Sequence, residues 1–288
     1  MYHYERSIDM FQLGIEMGLL IVVIAFFAEY LDSSLGMGYG TSLTPILLLL
    51  GFEPLQVVPA VLFSELLTGF LAGFTHHALG NVDFRPKTMN VLEIGRAFKN
   101  NGILRSLRTE FPRSLKVVFL LSMLSIIGTV FAVFMAVNLP KLYLKLFIGI
   151  IILGVGIVIL CTINKTYGFS WKKITFLGLV ASFNKGLSGG GYGPIVVGGQ
   201  LISGVDGKSA IAITSVSEGC TCLVGILAYL LTMNVIDWSL APYLVIGAVI
   251  SVPISGFTVK SLNLKTMKIL ISVFTIFLGL VTILNVIV

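Results

Sequence analysis

The chain is expected to fold as an all-α integral membrane protein built from two inverted-topology repeats of five apolar segments each. Three observations predict this. The first is composition: 56% of the 288 residues are hydrophobic and only 11% are charged, with a mean hydropathy of +1.01. A soluble domain carries about 25% charged residues on its surface, so this chain cannot be coated for water. The second is a duplicated glycine-rich break. Leu35–Pro45 reads LGMGYGTSLTP and Ser188–Gly198 reads SGGGYGPIVVG. At a constant offset of 153 residues, Gly36, Gly38, Tyr39 and Gly40 fall on Gly189, Gly191, Tyr192 and Gly193. Gly51 falls on Gly204, and Ser64-Glu65 on Ser217-Glu218. Register kept over roughly thirty residues argues for a duplicated unit. The third is the loop charge that orients the halves, taken up below.

Ten apolar segments follow in order: 13–31, 38–51, 54–79, 114–137, 140–162, 171–185, 191–203, 207–233, 239–259 and 264–287. A full crossing needs about 20 residues. The third, fourth, fifth, eighth, ninth and tenth meet that length; 38–51, 171–185 and 191–203 fall short. In each half the first two segments meet at the glycine break, read as non-helical backbone near the bilayer midplane. Such backbone is tolerated only where protein or water satisfies its amides. The first run lacks a basic leader and a small-residue cleavage site, so it reads as part of the fold rather than a signal peptide.

Residues 80–116 carry Arg85, Lys87, Arg96, Lys99, Arg105, Arg108, Arg113 and Lys116 against Asp83, Glu93 and Glu110. That places the loop in the cytoplasm. The basic turns Asn164–Lys173 and Lys260–Lys268 fall on the same side, while Asn234–Ser239 has no basic residue and faces outward. The loop after the third segment is then inside and its partner after the eighth outside. The halves are therefore inverted, and both termini lie outside. The first repeat spans 1–163, with the basic loop at about 80–113, and the second spans 164–288; together they form one transport domain. The stretch 87–111 mixes Leu92, Ile94, Phe98 and Leu104 with basic residues. It reads either as a helix on the inner membrane surface or as an ordered loop that sets topology. The net charge of +6 records orientation, and no nucleic-acid partner is expected. Cys161, Cys220 and Cys222 lack metal-ligand spacing and read as core packing.

Ionisable side chains at membrane depth are costly and call for a reason. Five stand near the breaks or mid-helix: Glu29, Asp32, Glu65, Lys185 and Glu218. Asp32 and Lys185 coincide at the 153-residue offset. Lys185 stands in FNKGLSGGGYGP, between Asn184 and Ser188 and before Gly189, Gly190 and Gly191. Successive glycine amides beside a lysine suit a small oxyanion. The competing reading pairs Lys185 internally with Asp32 or Glu218. The first repeat offers Ser33, Ser34, Gly36 and Gly38 but no positive charge, so its share in binding is smaller. Tyr39 and Tyr192 either cap the site or pack. Glu65 and Glu218 are candidates for proton coupling or gating, with Asp32 and Glu29 beside them. Their alternative is structural, as carboxyls bonded to the amides of the opposite break. His76 and His77 read as interfacial. GMGYG lacks the spacing and strand–helix context of a dinucleotide fingerprint. No catalytic set, metal site or cofactor is expected.

The paired breaks, and above all FNKGLSGGGYGPIVVGGQLISG, resemble the TauE/SafE sulfite exporter family, also called TSUP. The resemblance covers both halves. It implies a secondary carrier of a sulfur-containing anion: sulfite, sulfoacetate or another organosulfonate, or thiosulfate. The first break departs from the family pattern, with GMGYG in place of a denser glycine run. The resulting expectation is alternating access across the cytoplasmic membrane, with proton coupling left open. Lys185, Asn184, Ser188, the glycines and tyrosines of both breaks, Ser33 and Ser34 would contact the anion. A passive anion channel, or a membrane scaffold whose buried ions are structural, remains the alternative. Oligomeric state and direction of transport are not encoded legibly.

Overall fold

The computed structural model describes residues 14–86, 99, 111–138, 140–164, 170–233, 238–259 and 264–287. The stretch 87–111, apart from 99 and 111, lies outside them, as do Lys165, residues 234–237 and residues 260–263, so the loops used for orientation are only partly described. All the regular elements are helices, with no strand among the described residues. They are α1 (Ile15–Leu35), α2 (Tyr39–Leu49), α3 (Pro54–Ala78), α4 (Arg113–Asn138) and α5 (Lys141–Thr162). A second set of five follows: α6 (Trp171–Ser188), α7 (Tyr192–Ile202), α8 (Gly207–Met233), α9 (Ala241–Thr258) and α10 (Leu264–Ile287).

These match the ten expected segments, with one instructive difference. α1 continues to Leu35 and α6 to Ser188, each a turn beyond the expected end. Asp32, Ser33 and Ser34, and likewise Lys185 and Ser188, are therefore helical. What stops each helix is a glycine in the left-handed region, Gly36 (φ 67°) and Gly189 (φ 70°). Their N–H groups close the last turn on the carbonyls of Asp32 and Lys185. A left-handed residue ends a helix cheaply only when it lacks a Cβ. Polar side chains alone do not end it.

Other ends follow local chemistry. Glu53 and Gln56 form a reciprocal capping box ahead of Pro54 at the start of α3. The Ser170 hydroxyl accepts from the Lys173 N–H at the start of α6. By length and composition, five helices are able to cross a membrane among the described residues: α3, α4, Lys145–Thr162 within α5, α8 and α9. α10 is 24 residues long and apolar over most of that length. α2 and α7, at 11 residues each, span about 16 Å, half a hydrocarbon core.

Burial runs opposite to that of a water-soluble protein. Large apolar side chains such as Ile15, Phe74, Ile127, Phe176, Leu231 and Phe257 face outward, while Glu29, Asp32, Glu65, Lys185 and Glu218 are buried. The packing pairs helices in couples related by exchange of the halves. α1 lies on α9 as α6 lies on α4; α3 lies on α9 as α8 lies on α4; α2 meets α10 as α7 meets α5. α3 against α8 and α5 against α10 pair with their own counterparts. At the α3–α8 crossing, a methyl group on Gly69 would strike the Ser215 carbonyl and the Gly219 backbone. Small residues there let the two helices approach, which brings Glu65 and Glu218 together.

Candidate functional site

The two breaks touch backbone to backbone. A methyl group on Gly40 would overlap the Gly189 carbonyl, and one on Gly193 would overlap the Gly36 carbonyl. The two contacts are equivalents at the 153-residue offset, so each break is the mould of the other. The starts of α2 and α7 are thereby fixed beside the ends of α6 and α1.

Lys185, fully buried in the last turn of α6, lies at this junction. Its Nζ donates to Glu65 Oε2 on α3 and, at 2.9 Å, to Glu218 Oε1 on α8. One carboxyl oxygen from each of Asp32, Glu65 and Glu218 lies within 4.8 Å of the other two. Three buried carboxylates could in principle hold a metal ion. Here the ammonium bonds two of the three, so the group has an internal cation.

The break amides are engaged within the protein. Gly40 N–H donates to Glu65 Oε1 at 3.2 Å, and Tyr39 N–H to Asp32 Oδ1 at 3.3 Å. Gly190 N–H donates to Ser188 Oγ at 3.1 Å, and Gly191 N–H to Thr41 Oγ1 at 2.8 Å. Glu29 accepts from Ser33 Oγ at 2.6 Å and from Thr68 Oγ1 at 3.1 Å. Tyr39 OH pairs with Ser64 Oγ at 2.8 Å. The equivalent Tyr192 OH is directed at Ser217 and Thr221 without a hydrogen bond of ordinary geometry. Ser34 Oγ and both amide atoms of Asn184 are buried without a partner. Gly36 and Gly38 form the turn between α1 and α2.

All the expected residues therefore gather around one junction, but the arrangement differs from a ready-made anion cradle. Among the described residues, the buried carboxyl groups of Glu29, Asp32, Glu65 and Glu218 accompany one buried ammonium, and Lys185 is paired within the protein, to Glu65 as well as to Glu218. Glu65 reaches the amide of its own half's break rather than the opposite one. Sequence reasoning did not single out Thr41 or Thr68, and it read Cys222, whose Sγ lies 3.8 Å from Glu65 Oε2, as core packing. Thr41 and Cys222 carry no signal such as charge or repeat identity, whereas Thr68 falls on Thr221 at the 153-residue offset and was open to discovery by that route. His76 is also repositioned. Far from interfacial, it is 1% exposed and bonds the Ser33 carbonyl.

Polytopic helices, an apolar exterior and buried charges gathered at two helix breaks define a multi-pass membrane protein of the transporter type. The chain belongs to the sulfite exporter TauE/SafE family, whose model matches residues 21–97 and 100–282. It is also 24% identical over 272 residues to the "Probable membrane transporter protein YtnM" of Bacillus subtilis (strain 168), covering 93% of this chain and 83% of that protein. No solved structure matches it.

Proposed function

We propose that the protein is a secondary carrier that moves a small sulfur oxyanion across the cytoplasmic membrane by alternating access. The family description names sulfite, and the proposed substrate class widens this to sulfoacetate or another organosulfonate, or thiosulfate. The moving parts are residues 1–163 and 164–288, taken as inverted repeats. One observation carries the reading: a fully buried lysine stored between two carboxylates where both broken helices meet. An anion that takes Lys185 displaces Glu65 and Glu218. Left ionised, they would be unpaired charges in a water-poor interior, each costing several kcal/mol or about that order. Anion entry is therefore accompanied by proton uptake on these carboxyls, with Asp32 and Glu29 as neighbouring acceptors. Asn184, Ser34, Ser188 and the break amides supply hydrogen bonds to the bound anion.

The test is counterflow in proteoliposomes loaded with unlabelled anion. Labelled sulfite, thiosulfate or a sulfonate should accumulate transiently in vesicles holding the wild-type protein and not in those holding Lys185→Ala. Passive, non-saturable equilibration would instead identify a channel. The internal pairing of Lys185 with both Glu65 and Glu218 also favours a second reading, in which the ion cluster is purely structural. That reading predicts no thermal stabilisation by any of these anions.

A further inference from the structure

The 153-residue offset extends to a pair of residues that the repeat identities hide, because the two side chains differ. His76 on α3 and Tyr229 on α8 are equivalent positions, both buried. His76 Nε2 lies 3.0 Å from the Ser33 carbonyl in the last turn of α1. Tyr229 OH donates at 3.2 Å to the Gly186 carbonyl in the last turn of α6. Ser33 and Gly186 are themselves equivalents at the same offset.

The reason lies in how the helices end. The last four carbonyls of a helix lack an intrahelical partner. In α1 the Gly36 N–H takes the Asp32 carbonyl, and in α6 the Gly189 N–H takes the Lys185 carbonyl. The next carbonyl in each, Ser33 and Gly186, points past the left-handed glycine and needs an outside donor. A carbonyl only accepts, so His76 carries its proton on Nε2. Its Nδ1 then accepts from Asn81 Nδ2 at 3.0 Å. Both faces of the ring are thus engaged, and the neutral tautomer is fixed.

Each bond sits one residue beyond a charged centre residue, Asp32 or Lys185. On α3, Glu65 and His76 stand eleven residues apart, three turns and hence one face. Glu65 holds the start of α2 and His76 the end of α1, so α3 clamps both sides of the first break. On α8, Glu218 and Tyr229 have the same spacing, and both act on the end of α6.

We infer that His76 and Tyr229 are matched positioning residues: each latches the end of one broken helix, and releasing either one opens the central site toward a different face of the membrane. This rests on the two-sided carrier reading above. His76 lies near the end of α3 that leads into the basic loop, and Tyr229 near the end of α8 that leads into the linker without a basic residue. The latches therefore face opposite sides.

Cys222, beside Glu65, serves as the reporter. In a Cys161→Ser/Cys220→Ser background, its labelling by a membrane-impermeant thiol reagent is timed in right-side-out and in inside-out vesicles. His76→Phe should speed labelling about fivefold from the cytoplasmic face alone, the factor expected for loss of one hydrogen bond. Tyr229→Phe should do so from the outer face alone. The double variant should restore the wild-type ratio between faces, and His76→Gln, which keeps an N–H donor, should label like wild type. Equal acceleration from both faces, or none from either, overturns the inference. Tyr229→Phe removes a single oxygen and carries the test by itself if His76→Phe does not fold. Counterflow of labelled anion in the same vesicles reports separately on the carrier reading, because face-specific labelling of Cys222 needs no substrate.

Discussion

Lys185 holds its place only because two carboxylates surround it. Removing the ammonium leaves Glu65 and Glu218 facing one another with no cation between them, a loss of about 3–5 kcal/mol for a broken buried pair. Lys185→Ala is therefore expected to unfold at a clearly lower temperature in detergent and to lose saturable uptake. Adding Glu65→Gln and Glu218→Gln should recover most of the stability without recovering transport. A triple variant that transports would show that the lysine is not the anion's ligand. These three residues could be named from the sequence, because ionisable groups in apolar runs are rare enough to be conspicuous. Thr41, which accepts from Gly191 N–H across the junction, could not. A threonine in an apolar helix is ordinary, and its partner lies in the other half at no fixed spacing. Thr41→Val should cost about 1–3 kcal/mol, as for any buried donor left unpaired, read as a fall in melting temperature with Lys185 untouched.

Among the elements, the half-helices α2 and α7 are the ones whose placement depends on single atoms. Gly40→Ala would drive a methyl group into the Gly189 carbonyl, a backbone atom that cannot swing aside. Overpacking costs about 1–3 kcal/mol in general, and here it also pushes the two breaks apart. Gly51 makes the useful contrast, since its φ of 95° strains any L side chain while nothing lies within 4 Å of the added methyl. Gly51→Ala should therefore lose only about 1–2 kcal/mol and keep transport, whereas Gly40→Ala should lose transport at temperatures where it is still folded. Equal effects at both positions would mean that the contact between breaks has no special role. The ten elements themselves were legible because apolar runs and glycines are strong signals. Their ends were not. Asp32, Ser33 and Ser34 look like a helix terminus, yet Ser33 bonds back to Glu29 in the same helix, Asp32 takes the Tyr39 N–H, and the chain turns only where Gly36 allows it.

At the scale of the whole molecule, the helices pair in couples related by exchange of the halves, the geometry that the proposed alternating access requires. If the buried carboxyls couple transport to protons as proposed, an imposed inward proton gradient should accelerate net uptake. Glu65→Gln/Glu218→Gln should lose that acceleration while still exchanging anion for anion. Net uptake indifferent to the gradient in the wild type would sink the coupling. The duplication was visible in the sequence through glycines and the Ser-Glu pairs. The equivalence of His76 and Tyr229 was concealed, because two different side chains meet the equivalent carbonyls.

The division of charge between the halves also bears on how the protein is made. Glu29, Asp32 and Glu65 belong to the part synthesised first, and the cation that meets them, Lys185, emerges more than a hundred residues after Glu65. Until then the early helices reside in lipid with three carboxyls at their centre and no central counter-charge. They can do so only by carrying protons or by staying open to water. Completion of α6 is thus the first point in synthesis at which the centre can gain its cation and dry out.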